Sequence, residues 1–222
     1  QWGNFSEVIG LRDLDRALTN TMLVTILVVA GTLFTSIMGG YAFARVRFPG
    51  RDKMFLAYLG SIMIPFIVLI IPLFQLMVGL GWVNSIGSLV WPFLFNAYGT
   101  FLMRQFFVSI PKDLEESAIM DGASQFTLFW RIIFPLMRPA TATVVIFVSL
   151  WTWNEFLLPL IIVGPSQGVT ITTGIYTAVG TYTSDFGQIF SLMLLSAIPM
   201  LAFFFSLQKE FIDGLTAGSL KG

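Results

Sequence analysis

The feature that most constrains this chain is a run of fifty residues, 54–103, without a single charged side chain. A helix needs about 20 apolar residues to cross a hydrocarbon core about 30 Å thick. The run is too long for one crossing and suits two. Residues 79–85, rich in glycine and small polar side chains, mark a turn inside it. We therefore predict membrane crossings near residues 54–78 and 86–103.

Three further apolar runs complete the pattern. They lie near residues 22–44, 140–163 and 186–207, and the middle one carries a single charge, Glu155. Asn20 precedes the first run and is a favourable helix N-cap. Only 11% of the residues are charged, against about a quarter in a soluble domain. The sequence predicts an all-α integral membrane protein with five transmembrane helices.

The basic residues fix the orientation of these helices. Ten of the 12 lysines and arginines fall in one set of connections: four in residues 45–53, four in 104–138 and two in 209–221. The opposite connections, 79–85 and 164–185, contain none. Short cytoplasmic loops are enriched in lysine and arginine. We therefore expect the connections that hold these ten basic residues to be cytoplasmic. The first residue of the chain would then lie outside, and we expect a further crossing to precede it.

These crossings define the expected domain organisation. Residues 1–19 form an extracytoplasmic lead-in, 20–211 a transmembrane domain and 212–222 a cytoplasmic tail. The chain has no cysteine and no histidine, and no phosphate-binding loop of the Gly-x-x-x-x-Gly-Lys-Ser/Thr type. The sequence therefore indicates neither an enzyme nor a site for a metal or cofactor in this chain.

One cytoplasmic connection, residues 109–135, is too patterned to be a linker. It reads as two short helices, with Pro111 at the first helical position of the first. Gly122 can end that helix in a left-handed conformation. Ser124 can cap the second helix, and Pro135 prevents it from continuing.

The second short helix is amphipathic. Phe126, Phe129, Trp130 and Ile133 fall on one face at helical spacing. An apolar face must be buried, either against the protein's own transmembrane bundle or in the groove of another subunit. Periodicity alone leaves both interpretations open and slightly favours the first.

A resemblance favours the second interpretation. The segment is similar to the EAA loop of ATP-binding-cassette importer permeases, whose pattern is Glu-Ala-Ala, then Gly, then Ile and Leu-Pro. It matches at Glu116, Ser117, Ala118, Gly122, Ile132, Phe134 and Pro135. Ser117 replaces an alanine and Phe134 a leucine. Residues 40–51, 153–157 and 214–222 resemble the sugar and oligosaccharide branch, and the ending is similar to the maltose-type uptake family.

The resemblance, which runs from about Leu18 to the last residue, implies a type I importer permease bundle. Such a permease pairs with a second homologous permease and with two ATPase subunits, which bind ATP and Mg. An extracytoplasmic solute-binding protein delivers the substrate, and no nucleic acid is involved. The residues implied in coupling to the ATPase are Glu115, Glu116, Ser117, Ala118, Asp121, Gly122, Ala123 and Phe126. In the tail, Gly214, Thr216 and Gly218 would reach the ATPase interface, and the outer loop 164–185 would contact the binding protein.

Five polar or aromatic residues at membrane depth are candidates for the substrate path: Asn96, Tyr98, Trp151, Asn154 and Glu155. Polar groups beside aromatic faces suit a sugar's hydroxyls and its C–H face. Each also has a structural explanation, because aromatic residues form interfacial belts and asparagine bonds between helices. For Glu155 we favour bracing by a buried hydrogen bond or ion pair.

The expected function is that of a permease subunit in the cytoplasmic (inner) membrane of a prokaryote. It would help to carry a sugar or oligosaccharide inward by alternating access. The alternatives are a permease for glycerol phosphate or another polar solute, an ion-coupled secondary transporter, and a non-transporting membrane scaffold.

Overall fold

The fold of the 222-residue chain was taken from a computed structural model, which describes residues 2–9, 14–164, 170–181 and 186–219. Within these ranges all regular structure is helical. The α-helices are α1 Gly3–Ile9, α2 Leu14–Arg45, α3 Arg51–Gly60, α4 Phe66–Gly79, α5 Ile86–Val90, α6 Ala97–Ser109, α7 Lys112–Met120, α8 Gln125–Thr127, α9 Phe134–Leu136, α10 Arg138–Trp153, α11 Leu157–Ile162, α12 Ile171–Thr181 and α13 Phe186–Ser219. Short 3₁₀ turns cover Ser61–Met63 and Trp91–Phe93, and a π-helical stretch covers Leu128–Ile133.

Two of the described helices are long and apolar enough to cross a membrane by themselves: α2, and α13 over Phe186–Lys209. Three pairs of shorter helices, each interrupted by a bend, pass the same test together. The described part of the chain therefore has up to five spans. The predicted all-α membrane fold is confirmed.

The boundaries of several elements differ from the sequence-based expectation. Helix α2 begins at Leu14 and runs through Asn20, so Asn20 is not its N-cap. The extra turns are stabilised because Leu14, Ala17 and Thr21 are buried on one side of the helix. The fourth predicted crossing is interrupted between α10 and α11, where residues 154–156 leave the helix.

At its other end the chain is more helical than predicted. Helix α13 continues to Ser219, through most of the segment that we assigned to the tail. The positions of Gly214, Thr216 and Gly218 therefore lie on helical backbone. The last three residues, 220–222, lie outside the described residues.

The predicted turn after the second crossing is present. Gly81 has φ +68°, and the amide of Trp82 donates to the carbonyl of Met77 over 2.9 Å, which closes the end of α4. The Ser85 side chain then accepts from the amide of Ser88 and caps α5.

The helices form two compact units. The first contains residues 1–30, 65–94 and 148–206. Its core includes Val8, Leu14, Trp153, Ile171, Leu192 and Met200. The Trp153 ring nitrogen donates to the carbonyl of Ser196 at 3.2 Å, and the Thr21 hydroxyl accepts from the amide of Ile171 at 2.8 Å. These bonds satisfy polar groups that would be costly to bury alone.

The second unit contains residues 31–64, 95–147 and 207–222. Helices α2 and α6 approach each other closely in it. A Cβ atom on Gly40 would lie 2.6 Å from Cβ of Met103 and 2.9 Å from the amide nitrogen of Arg104. A Cβ atom on Gly99 would lie 2.5 Å from the Ser36 hydroxyl. Small residues of this kind let transmembrane helices pack backbone against backbone.

Candidate functional site

Segment 109–135, which the sequence predicts to be cytoplasmic and which is called the coupling segment below, is built around a sharp turn in the second unit. Gly122 follows the end of α7 with φ +82°. The amide of Ala123 donates to Ala118, and that of Gly122 donates to Ile119, at 2.9 and 3.0 Å. This pair of bonds is the Schellman arrangement, and it supplies N–H donors to carbonyls that would otherwise lack them at the helix end. The predicted role of Gly122 in ending the helix is confirmed.

The helix after this turn is capped as predicted. The Ser124 hydroxyl accepts from the amide of Thr127 at 3.2 Å. Pro111 differs slightly from expectation, because it is the N-cap residue and α7 begins one position later, at Lys112. Its ψ of 135° is extended, which is why it lies just outside the helix.

The first half of the coupling segment is attached to the end of α2 by one arginine. Arg45 Nε lies 2.8 Å from Glu115 Oε1, and the two side chains are only 8% and 16% exposed. A second nitrogen of Arg45 donates to the carbonyl of Ile110 at 2.7 Å. Arg45 is at the C-terminal end of α2 and Glu115 is in the first turn of α7, so both helix dipoles favour the pair.

The second half of the coupling segment packs on the same part of the unit. The ring of Phe129 meets the ring of Tyr41 edge to face, with centroids 5.8 Å apart. Tyr41 in turn packs edge to face on Phe107 at 5.4 Å. Tyr41 on α2 therefore supports the second half of the segment, as Arg45 supports the first.

The apolar face predicted for this second half is wrong, because the residues that the structure buries are not the set that helical spacing placed on one face. Leu128 and Ile133 are buried to 1% exposure, whereas Phe126 and Trp130 are 74% and 48% exposed. The reason is the π-helical stretch, in which bonds run from residue i to i+5 and bring residues five apart onto one face. The pattern i, i+3, i+4, i+7 cannot anticipate that change.

Five large apolar side chains of the coupling segment are exposed, and together we call them the docking face: Leu114, Ile119, Met120, Phe126 and Trp130. These side chains are between 46% and 88% exposed. The rings of Phe126 and Trp130 pack on each other with centroids 6.1 Å apart. Of the other coupling residues predicted from the sequence, Glu116, Ser117, Asp121 and Gly122 are exposed, Ala123 is half-buried and Ala118 is buried.

The candidates for the substrate path are divided between the two units, and the side chains of Asn96, Asn154 and Glu155 have local hydrogen-bond partners. Asn96 accepts from the amide of Gly99 at 2.9 Å and caps α6, and the ring of Tyr98 packs on that of Phe147. In the other unit, the ring of Trp151 meets that of Phe93 at 4.5 Å. The Asn154 side chain donates to the carbonyl of Leu150 at 2.7 Å.

Glu155 has a local structural role. Its Oε1 accepts from the amide of Leu158 at 3.1 Å, at the start of α11, and its carbonyl accepts from the Thr172 hydroxyl at 2.7 Å. The cavity that it lines with Thr21, Thr152 and Thr170 has a volume of about 10 Å³, enough for about one water molecule. These contacts fit the bracing role that the sequence favoured.

Comparison with known proteins adds the family. Residues 31–213 match the model of the family described as binding-protein-dependent transport system inner membrane component. The chain belongs to this family. It is a transport permease of the inner membrane, as predicted, and neither the ion-coupled carrier nor the scaffold considered above fits that membership.

Individual relatives of this permease agree with the match. It is 36% identical over 203 residues to the arabinooligosaccharides transport system permease protein AraQ of Bacillus subtilis, covering 91% of this chain and 72% of the relative. It is 30% identical over 215 residues to the sn-glycerol-3-phosphate transport system permease protein UgpE of Yersinia enterocolitica, covering 96% and 75%.

A solved structure confirms the fold. A chain from a bacterial ABC transporter involved in the import of the acidic polysaccharide alginate superimposes with a TM-score of 0.81 at 22% identity. The superposition covers 94% of this permease and 79% of that chain.

The residue that sequence reasoning missed in the permease is Arg45. It was counted only as one of the positive charges that set orientation, and nothing in its local sequence points to a partner 70 positions away. Its position directly after the predicted crossing 22–44, and the three carboxylates in the first turns of the predicted coupling helix, were the available signals.

Proposed function

We propose that this permease is one of two membrane subunits of an ATP-driven importer that carries a sugar or oligosaccharide into the cytoplasm. The proposal rests mainly on the structure of the coupling segment, which is attached to α2 on its inner side and presents exposed apolar side chains on its outer side. Exposed apolar patches of this kind mark protein interfaces. We assign the docking face to a cytoplasmic ATPase subunit, which binds ATP and Mg and carries out the hydrolysis.

The inner contacts suggest how motion is transmitted. Closure of the ATPase pair displaces the coupling segment, and its displacement acts on α2 through Arg45 and Tyr41. The ion pair resists separation because each partner would leave an uncompensated charge in a poorly hydrated environment. Alternating access then follows as a rigid-body change between inward- and outward-facing states.

Gly122 and the other predicted coupling residues have distinct parts in this proposal. Gly122 sets the angle between α7 and the following helix, and Ala118 packs inward with Glu115. Glu116, Ser117, Asp121, Ala123 and Phe126 are available to contact the ATPase. The helical end of α13, with Gly214, Thr216 and Gly218, is proposed as a second ATPase contact on the family resemblance.

The substrate class rests on the relatives. The arabinooligosaccharide permease is more similar to this chain than the glycerol phosphate permease is, and the 40–51, 153–157 and 214–222 segments resemble the sugar branch. A sugar or oligosaccharide is therefore the proposed cargo. Glycerol phosphate is the second candidate, because the relative named for it covers nearly the whole chain.

The remaining partners complete the transport cycle. A second homologous permease would enclose the path, and a solute-binding protein would deliver the sugar from outside. The outer loop 164–185 is the proposed contact for that protein. Of this loop, residues 165–169 and 182–185 lie outside the described residues, and Ile171–Thr181 form α12.

Purification in mild detergent from the native membrane, followed by mass spectrometry, tests the assembly. We expect a second permease and an ATPase subunit to be recovered together with this chain. Recovery of the active permease alone, in repeated preparations, would contradict the proposal. The reconstituted complex then tests the cargo: a loaded binding protein should stimulate ATP hydrolysis with an oligosaccharide, and stimulation by glycerol phosphate alone would select the second candidate.

A further inference from the structure

A basic groove lies in the second unit, and none of the docking face residues lines it. It has a volume of about 600 Å³ and is lined by the side chains of Arg47, Arg51, Lys53 and Lys112, with Asp52 as the acidic residue of its lining. Four positive charges and one negative charge leave the lining with a net charge of +3. The predicted orientation places these residues on the cytoplasmic side of the membrane.

The backbone adds to this positive potential. Helix α3 begins at Arg51 after Gly50, and α7 begins at Lys112 after Pro111. In neither case does the N-cap side chain bond to the first amides of the helix. Two helix N-termini, each with a partial positive charge, therefore lie at one groove.

The acidic side chains nearby do not cancel the charge. Asp52 is 3.0 Å from Arg51 and 3.9 Å from Arg104, so it is already shared between two cations. Glu115 is paired with Arg45. Asp113 and Glu116, on the same helix as Lys112, are exposed and do not line the groove.

The surface beside the groove is apolar. Val46 is 44% exposed, and Met54 and Leu56 on α3 are 56% and 70% exposed. The apolar exposure continues along the same span through Ile62 and Met63, at 53% and 85%. A cationic groove at the cytoplasmic end of a span, next to apolar surface that runs into the span, matches a phosphate headgroup with its acyl chains.

We propose that this groove binds the headgroup phosphate of an anionic phospholipid of the cytoplasmic leaflet. The basic side chains and the two helix ends contact the phosphate, and the acyl chains lie along the apolar side of α3. The lipid is favoured over a free anion because of this adjacent apolar surface. It is favoured over an acidic protein because the apolar surface belongs to a predicted membrane span.

Native mass spectrometry of the full transporter tests the site. The complex is purified from nanodiscs of phosphatidylcholine that contain a minor fraction of phosphatidylglycerol, and the retained phosphatidylglycerol is counted. The variant R47Q/K53Q removes two charges from the exposed rim of the groove. The matched control R138Q/K209Q removes two exposed cytoplasmic charges outside it.

Each basic residue near an anionic membrane surface strengthens binding by about fivefold, so R47Q/K53Q should weaken phosphatidylglycerol retention roughly 25-fold. The control should retain as much as the wild type. The single substitution Lys53→Gln should give an intermediate loss of retained phosphatidylglycerol, and it provides a second test in case the double variant misfolds. Both variants should elute as the intact complex.

Three results would overturn the assignment. Equal retention in R47Q/K53Q and in the control would remove the site. Displacement of phosphatidylglycerol by inorganic phosphate, but not by chloride at the same ionic strength, would assign the groove to a free anion. If R47Q/K53Q retained the same amount of phosphatidylglycerol but lost the copurifying ATPase, the groove would be assigned to a protein contact.

Discussion

The coupling segment and the polar residues around Trp151 to Glu155 were both singled out in the sequence, and the structure treats them in opposite ways. In the coupling segment the polar groups reach far along the chain, as in the Arg45–Glu115 pair, and the apolar side chains remain exposed. The side-chain polar groups of Asn154 and Glu155 bond within four residues, and the Trp151 ring packs on its neighbours.

This difference separates a surface that is shaped for a partner from one that stabilises helix ends. In the coupling segment, the exposed apolar side chains are not needed to attach the segment to the fold, so they are free to contact a partner. Polar groups that already hydrogen-bond to neighbouring residues are less available to bind a substrate. The proposed coupling function can therefore be argued from this chain alone, whereas the proposed cargo depends on evidence from its relatives.

The largest effect is expected from breaking the attachment of the coupling segment. Arg45→Gln leaves Glu115 without its ion-pair partner in a site that is 16% exposed, at a cost of about 3 kcal/mol. Melting of the purified complex should move down, and substrate-stimulated ATP hydrolysis should be lost.

The double variant Arg45→Met with Glu115→Met distinguishes charge from packing. Replacing both partners by apolar groups is often close to neutral for stability. We expect the melting temperature to return toward the wild type. If the single variant melted and hydrolysed ATP normally, the attachment would have no role in coupling.

The next effect concerns the contact between α2 and α6 on which the coupling segment is supported. Gly40→Ala places a Cβ atom 2.9 Å from the backbone nitrogen of Arg104 and should destabilise by about 2 kcal/mol. Gly60→Ala is the matched control, since no atom lies within 4 Å of its added Cβ and its φ is −58°. The control should be neutral or stabilised by about 0.5 kcal/mol. Equal thermal shifts in the two variants would refute the close approach.

A smaller effect on stability, with a large effect on coupling, is expected at Gly122. Its φ of +82° is strained for leucine by about 1–2 kcal/mol, although no atom obstructs an added Cβ. Gly122→Leu should enter the membrane normally and lose transport-coupled ATP hydrolysis. Gly122→Asn, which tolerates the left-handed conformation, should keep most of it. Normal coupling in the leucine variant would remove the assigned role.

The smallest effect is expected at Glu155, and it tests the other side of the comparison. Glu155→Gln keeps an oxygen that accepts from the amide of Leu158, so stability and transport should remain near the wild type. Glu155→Ala loses that acceptor and should cost about 1 kcal/mol. A strong loss of substrate affinity in the glutamine variant, at unchanged stability, would show that Glu155 contacts the cargo.

The parts of the coupling segment that were predicted correctly depend on local chemistry. Gly122 and Ser124 act on backbone groups within five residues, and their conformational preferences belong to the residue types. The apolar face was misassigned because a π-helical stretch changes the periodicity without a sequence signal. The Arg45–Glu115 pair was missed because a contact between residues 70 positions apart is set by the packing of α2 against its neighbours.

The fold class was predictable for another reason. A helix that crosses the lipid core needs a long run of residues without charge, and such runs can be read from the sequence, as in the fifty uncharged residues 54–103. The residues at which the helices begin and end were predicted less accurately. Asn20 is a favourable cap by type, but burial of Leu14, Ala17 and Thr21 extends α2 past it.

The central claim is that the docking face contacts an ATPase subunit, and the absence of cysteine from the chain allows a direct measurement. Phe126→Cys and Met120→Cys each introduce one exposed thiol, and Ala118→Cys introduces one at a position that is 7% exposed. A photoactivatable thiol reagent is attached in native membranes, the sample is illuminated, and adducts are identified by mass spectrometry.

We predict that the cysteines at positions 126 and 120 form adducts with an ATP-binding subunit and that the one at position 118 does not. Adducts from 126 and 120 with lipid or with this chain alone, in membranes that support uptake, would contradict the account.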